Sequence, residues 1–265
     1  MRIKYETVIF VFFFIHGLII PAFAGDIHDR TIHIADDSAE WPPYTYYKRI
    51  NGKKSDEIVG FSVDVIRDIF NNNNINFTIT FLPWKRALLE VENGKQYQML
   101  LSGSYSRERD KKYYLSKGYY STTVYYFYSK KHHPDGMVIN STSDLKKYNI
   151  AGLRGYNYES YGINNHDIYK RLNNYNSLIP FLHANRCDLF LDIIELMSGY
   201  SQIGKNYLGD KDLAYAPAEG ILPAIFQMMI TKNELGKELK RIIDKGINRL
   251  EKSGRLAEMK KKYLK

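Results

Sequence analysis

The sequence predicts an α/β fold built on mostly parallel sheets with helices on their faces, and three observations predict it. Between residues 31 and 101, stretches of alternating apolar residues take turns with stretches of helical periodicity, giving strand, helix, strand, helix, strand. The predicted strands run into small or polar residues, as in Ser102-Gly103-Ser104, so backbone is exposed at their ends. A late apolar run, Ala224 to Thr231, is followed by Leu235, Leu239, Ile242, Ile243 and Leu250 along one helical face. The chain has 265 residues, enough for one large domain or two ordinary ones, and either can bury a proper core.

Taken in order, Ile32 and Ile34 alternate with polar neighbours in a first strand, Thr31 to Ala35, which runs through Asp36 and Asp37 into Trp41-Pro42-Pro43-Tyr44. The two prolines fix an extended turn and set aromatic rings on either side of it. Gly60 opens a helix whose Phe61, Val65, Ile66, Ile69 and Phe70 recur at helical spacing, and Asn71 to Asn74 end it. Ile75 to Phe81 reads as a second strand, and Pro83 begins a helix carrying Trp84. Tyr97, Met99, Leu100 and Leu101 form a third strand, after which Ser106 caps a helical turn that holds Arg109. Hydroxyls on Ser104 and Ser106 can donate or accept, and the Arg109 guanidinium offers a rigid fork of donors matching a carboxylate.

Ser121 to Ser129 is a β-prone run, and a polar loop with His132 and His133 follows. These histidines have no third ligand at a recognisable spacing, so the sequence predicts no metal. Ser143-Asp144-Leu145 reads as a cap and first helical turn, and Asn149 to Leu153 as a strand delivering Arg154, Gly155, Tyr156, Asn157 and Tyr158 to a helix start, where an anion is favoured. Leu178 to Ala184 reads as a helix. Thr231 and Glu234 have capping-box spacing before the long C-terminal helix, which breaks at Ser253-Gly254-Arg255 before a last one, Leu256 to Tyr263.

Arg2 and Lys4 precede the apolar run Val8 to Ile20, and Ala22-Phe23-Ala24 supplies a small-x-small cleavage pattern. An export signal over residues 1–24, cut after Ala24, is expected. Cys187 stands alone beside Leu189, Phe190 and Leu191 and reads as a buried thiol. The net charge of +9 raises the question of nucleic acid. The basic residues are spread along the chain, with Lys260, Lys261 and Lys262 the only dense run and no nucleic-acid motif beside them, so that class is set aside.

The run Ser102-x-Ser104 with Arg107-Glu108-Arg109, followed by Ser116-Lys117-Gly118-Tyr119-Tyr120, resembles the "T-x-T-x-x-R … FS-x-PY" signature of the bacterial family 3 extracellular solute-binding proteins. Gly60-Phe61-Ser62-Val63-Asp64, Pro83-Trp84-Lys85-Arg86-Ala87, Arg154-Gly155-Tyr156 and Asn185-Arg186-Cys187-Asp188 are similar to further motifs of that family, so the resemblance extends over nearly the whole mature chain. It implies the type 2 periplasmic binding fold: two α/β lobes joined by two hinge strands, with lobe 1 at 25–122, lobe 2 at 123–225 and a return segment to lobe 1 at 226–265. It implies a monomeric periplasmic protein with no cofactor that binds a small-molecule solute, an amino acid or a relative, by hinge closure and passes it to an ABC permease.

Carried over by position, the resemblance makes Arg109 the holder of a solute carboxylate, assisted by Ser104 and by Ser102 as a backbone contact. Trp41, Tyr44 and Trp84 would line the cleft from the first lobe, with Arg154, Tyr156, Asn157 and Tyr158 closing from the second. The family's acid for the α-ammonium falls at Ile193, with Asp192 one residue early, and adjacent strand residues face opposite ways. Either the register shifts locally or the solute lacks that ammonium. A ligand-binding sensor with a signalling partner and a periplasmic dehydratase-like enzyme are the alternative readings. Against the enzyme, the sequence has no paired general acid and base at an interpretable spacing, and Glu195 reads as a helix-face carboxylate.

Overall fold

The structure is a computed structural model that describes Ile27 and residues 30–264, so the expected export signal lies outside the described residues. Two sheets organise the chain. In the first, β1 (Thr31–Asp37) lies between β4 (Asn76–Leu82) and β5 (Met99–Ser104), all parallel, and β13 (Ala224–Thr231) runs antiparallel beside β5. The short strands β6 (Tyr113–Leu115) and β7 (Tyr120–Thr122) pair with the far edge of β13. The second sheet has the order β10 (Lys170–Leu172), β9 (Ile150–Leu153), β11 (Leu189–Ile193), β8 (Val124–Ser129), β12 (Leu213–Pro217). This is the two-lobed α/β architecture that the sequence predicts.

Burial follows the periodicities. Helix α1 (Phe61–Asn71) buries Phe61, Val65, Ile66, Ile69 and Phe70 on one face. Gly246 of α7 (Glu234–Lys252) lies so close to Ile69 that a Cβ there would meet its side chain at 2.6 Å. Helix α2 (Trp84–Asn93) covers the other side of the sheet, packing Ala87 and Val91 with Ala35, Leu100 and Met229. α8 (Arg255–Tyr263) follows the break at Ser253-Gly254 and is tied to α1 by the Tyr263 hydroxyl, which donates to Asp64 at 2.7 Å. Cys187 is buried and free, and burial pushes its thiol up to about 12.

Several expectations are corrected. Ser121 to Ser129 is two strands, β7 and β8, which belong to different sheets and divide at Thr123. The chain crosses back between Pro217 and Ala224. Helix α5 (Tyr175–His183) starts three residues before its expected first residue, because the Asn174 side chain caps it by accepting from the Ser177 N–H at 3.1 Å. Likewise Asn233, and not Thr231, caps α7, accepting from Gly236 N–H at 2.9 Å. No α-helix follows Tyr158; Glu159–Tyr161 is a single 3₁₀ turn, so the helix N-terminus expected there does not form. A hairpin of β2 (Tyr46–Ile50) and β3 (Lys53–Val59) is an element that the sequence reading missed.

Among the described residues no His, Cys, Asp or Glu group is arranged to hold a metal ion, and the His132 ring lies 2.9 Å from the His183 carbonyl. No helix of the described residues is long and apolar enough to cross a membrane. Glu195, on α6 (Ile194–Gly199), is bound to the crossing: both its oxygens accept from the Thr123 N–H, at 3.0 and 3.1 Å, while Ile194 N–H donates to the Thr123 carbonyl.

At the end of β5, Ser106 closes the first turn of α3 (Arg107–Lys112) by accepting from the Arg109 N–H at 3.1 Å. Ser106→Ala is expected to cost about 1 kcal/mol of stability, measured by urea unfolding; an unchanged midpoint would show that the cap contributes nothing.

Candidate functional site

The carboxyl ends of β1 and β5 face the loop after β9, where a parallel α/β sheet places its ligands. Between them lies an inner cavity walled by the rings of Trp41, Trp84, Tyr156 and Phe226 and by the polar groups of Asp36, Asp37, Ser104, Arg109 and Asn157. It leaves about 40 Å³ open to the centre of a water molecule, room for a few waters, so the lobes are closed on one another. A wider groove of about 680 Å³ opens outside it between α2, α3 and β10, with Arg109 on the wall of both.

Arg109 is the most constrained charge here. It is only 9% exposed. One terminal nitrogen donates to the Ser104 carbonyl at 2.9 Å and to its hydroxyl at 3.2 Å, and the other to the Gly155 carbonyl of the second lobe at 3.3 Å. Among the described residues it makes no ion pair. Burial pulls its pKa down to about 10, which leaves it charged at neutral pH. A buried cation held only by neutral oxygens lacks the counter-charge that normally offsets its desolvation.

Two acids share the cavity. Asp36 and Asp37, at the end of β1, are 1% and 6% exposed, and sequence reasoning passed over both as site residues. Asp36 accepts from Asp37 N–H at 2.8 Å and Asp37 from Ala39 N–H at 2.9 Å. Burial raises Asp36 to about 7 and Asp37 to about 6 despite these bonds. Tyr161 and Phe226 also line the cavity without having been foreseen. Phe226 lies on the hinge-side strand β13 and stacks on Tyr120 at 4.8 Å, which in turn stacks on Tyr44 at 4.2 Å.

The lobes meet through short polar bonds and close backbone approaches. Asn157 donates across the cleft to the Ser104 hydroxyl at 3.1 Å and to the Tyr105 carbonyl at 2.7 Å, while Trp84 Nε1 donates to the Gly155 carbonyl at 3.1 Å. Gly155 has φ +81°, and a Cβ on it would meet the Trp84 ring at 2.9 Å, so only glycine serves there. Gly199, at the end of α6, sits on the Pro42 carbonyl, where a Cβ would come within 2.5 Å.

Of the residues expected from sequence, the fold brings Trp41, Trp84, Ser102, Ser104, Arg109, Tyr156, Asn157 and Tyr158 to the inner cavity. Three lie elsewhere. Tyr44 is fully buried behind Tyr120, supporting the aromatic wall rather than forming it. Arg154 is exposed on the outer rim, its Nε donating to the Arg171 carbonyl at 3.3 Å. Asp192 is buried and off the inner-cavity wall, accepting from the Tyr175 hydroxyl and the Ile193 N–H. Tyr158 is only an edge of the cavity: its hydroxyl accepts from Leu153 N–H at 2.8 Å.

The sequence profile of the bacterial extracellular solute-binding proteins, family 3, matches residues 33–265, and the chain belongs to that family. No curated protein sequence matches it. Its fold is shared with an amino acid ABC transporter substrate-binding protein from Streptococcus pneumoniae, bound to L-arginine, at TM-score 0.69 and 21% identity over 88% of this chain and 94% of that one. It is similar too to the arginine-, lysine-, histidine-binding protein of Geobacillus stearothermophilus, at 0.66 and 19% over 88% and 95%. A histidine kinase sensor domain with similarity to periplasmic binding proteins matches at 0.68 and 19%, over 89% and 96%.

Gly199 has helical φ −58°, so alanine suits its backbone and conflicts with Pro42 and Pro43 across the closed cleft. Gly199→Ala is expected to leave the melting temperature of the ligand-free protein within a few degrees while weakening solute binding about tenfold or more; unchanged affinity would show that closure does not bring these surfaces together. Asp36 has a folded-state pKa of about 7 against an ordinary 3.8, so the folded protein binds more protons between these values. Its contribution favours the fold below about pH 4 and is lost as pH rises through about 7. Asp36→Asn should therefore raise the melting temperature at pH 8, with the gain fading towards pH 4; an equal gain at both would contradict the assignment.

Proposed function

We propose that the protein captures a small carboxylated, amino-acid-like solute in the periplasm by closing two lobes over it, and delivers the solute to an ABC permease. It acts as a monomer without a cofactor, hinged at Thr123 and over the return crossing at 218–223. The observation that carries this reading is the buried Arg109 guanidinium, which has three neutral oxygen partners and no acid. A carboxylate supplies the missing charge and fits the planar fork. The rings of Trp41, Trp84 and Tyr156 supply apolar walls for the rest of the solute.

Closure strengthens this contact by removing water from around the pair. The same contacts that seal the cleft, Asn157 to Ser104 and Trp84 to Gly155, also fix the groups beside the guanidinium. Membership of the family supports transport, and the structural neighbours that are substrate-binding proteins of amino acid ABC transporters point the same way. Binding is favoured over catalysis because Glu195, the acid considered for a dehydratase, is held by the Thr123 N–H and does not line the inner cavity.

Arg109→Ala is expected to weaken binding of a carboxylated solute by about 2–5 kcal/mol, as for removal of one partner of a buried charge pair. Isothermal titration checks it, and Arg109→Lys should recover only part of the loss because lysine cannot bind bidentately. Unchanged affinity in the alanine variant would remove Arg109 as the anchor.

A further inference from the structure

We propose that the solute is longer than the inner cavity, and that its far end carries a second anionic group, a carboxylate or a phosphate, which lies in the outer groove beside Arg109. This rests on Arg109 as the carboxylate anchor and adds a contact outside the sealed part of the cleft.

The two spaces differ in size and share one charge. The inner cavity has room for a few waters, while the outer groove offers about 680 Å³, and Arg109 borders both together with Tyr156 and Asn157. A solute whose head fills the inner cavity and meets Arg109 therefore has the groove as the open volume next to its anchor.

The groove is strongly cationic. Besides Arg109 it is lined by Lys85 of α2 and Lys112 of α3 from the first lobe, and by Arg154, Lys170 and Arg171 from the second. Its two acids, Glu92 and Glu108, are both engaged by Lys112, at 3.4 and 3.1 Å. Among the described residues Lys85, Arg154, Lys170 and Arg171 make no ion pair. Arg171 is taken up by the carbonyls of Leu153, Tyr156 and Asn165, which leaves Lys85, Arg154 and Lys170 exposed at the rim with no acid to meet.

Closing the lobes brings these like charges on facing walls towards one another, which opposes closure, and an anion held between them makes the same charges favour it. The walls also suit a spacer between two acidic ends. Leu89 of α2 is 51% exposed and Tyr169, just before β10, is 63% exposed, one on each side of the groove. Covering them with a methylene chain removes apolar surface from water. The rim cations are exposed, so only a chain long enough to leave the cleft reaches them.

The test uses the purified protein and two series of matched length: the diacids glutamate, α-aminoadipate, α-aminopimelate and α-aminosuberate, and the monoacids norvaline, norleucine, α-aminoheptanoate and α-aminooctanoate. Titration calorimetry should find glutamate within about threefold of norvaline, and the best of the longer diacids about tenfold or more tighter than its monoacid. Raising sodium chloride from about 0.05 to about 0.5 M should remove most of that advantage, because exposed charges are screened, and change monoacid binding much less. Lys85→Gln/Lys170→Gln should reduce the advantage to under about threefold and leave the monoacid within about twofold. Lys170→Gln alone takes its place if the pair does not fold. Equal affinity of diacid and monoacid at every length, an advantage already complete in glutamate, or an advantage reproduced by adding inorganic phosphate to the monoacid overturns the inference, while Arg109→Ala still tests the anchor on the monoacids. If neither series binds, this inference and the amino-acid-like reading fall together.

Discussion

A guanidinium withdrawn from water and given only neutral partners is the constraint around which this cleft is arranged. Arg109 is held by the end of its own strand, through the Ser104 carbonyl and hydroxyl, and by a single carbonyl from the opposite lobe. Keeping such a charge buried is unfavourable unless a counter-charge arrives. The Ser106 cap and the small residues of β5 fix where the guanidinium sits, and the lobes determine whether it is dry. In the proposed reading, recognition and closure are coupled by the same side chain, with the solute supplying what the closed protein lacks.

Closure itself depends on places where side chains are missing. Gly155 leaves room for the Trp84 ring, and Gly199 for the Pro42 carbonyl, so backbones approach from both lobes to the distance that Asn157 needs for its two cross-cleft bonds. Thr123 divides the strand that passes between the sheets, and Glu195 fixes its N–H from the second lobe. The Arg154–Tyr158 loop would follow the proposed hinge at Thr123 as a unit, because the Tyr158 hydroxyl ties it to Leu153 and Arg171 ties it to the Leu153 and Tyr156 carbonyls.

Much of the first lobe was legible in the sequence because its elements are local: alternation wrote β1, β4 and β5, and helical spacing wrote α1 and α7. Ser106 and Arg109 were legible for the same reason, since cap, turn and guanidinium lie within four residues. The β2–β3 hairpin was missed because its residues are polar, though Asn51-Gly52, with φ of 51° and 75°, is a two-residue turn signal. Asp36 and Asp37 were passed over because nothing local distinguishes acids that end buried in a cleft from acids in a solvated turn. The cavity that they line is completed by Tyr156 and Asn157, more than a hundred residues away. Asp192 illustrates the opposite case: the one-residue offset was visible in the sequence, and the carboxylate is spent on the Tyr175 hydroxyl and the Ile193 N–H.

A crystal structure of the protein with the amino acid that most raises its melting temperature tests the central claim most directly. The account predicts a solute carboxylate lying in plane with the Arg109 guanidinium, two oxygens at about 2.7–2.9 Å from its nitrogens. A bound solute with its carboxylate elsewhere, and Arg109 still bonded only to Ser104 and Gly155, would contradict it.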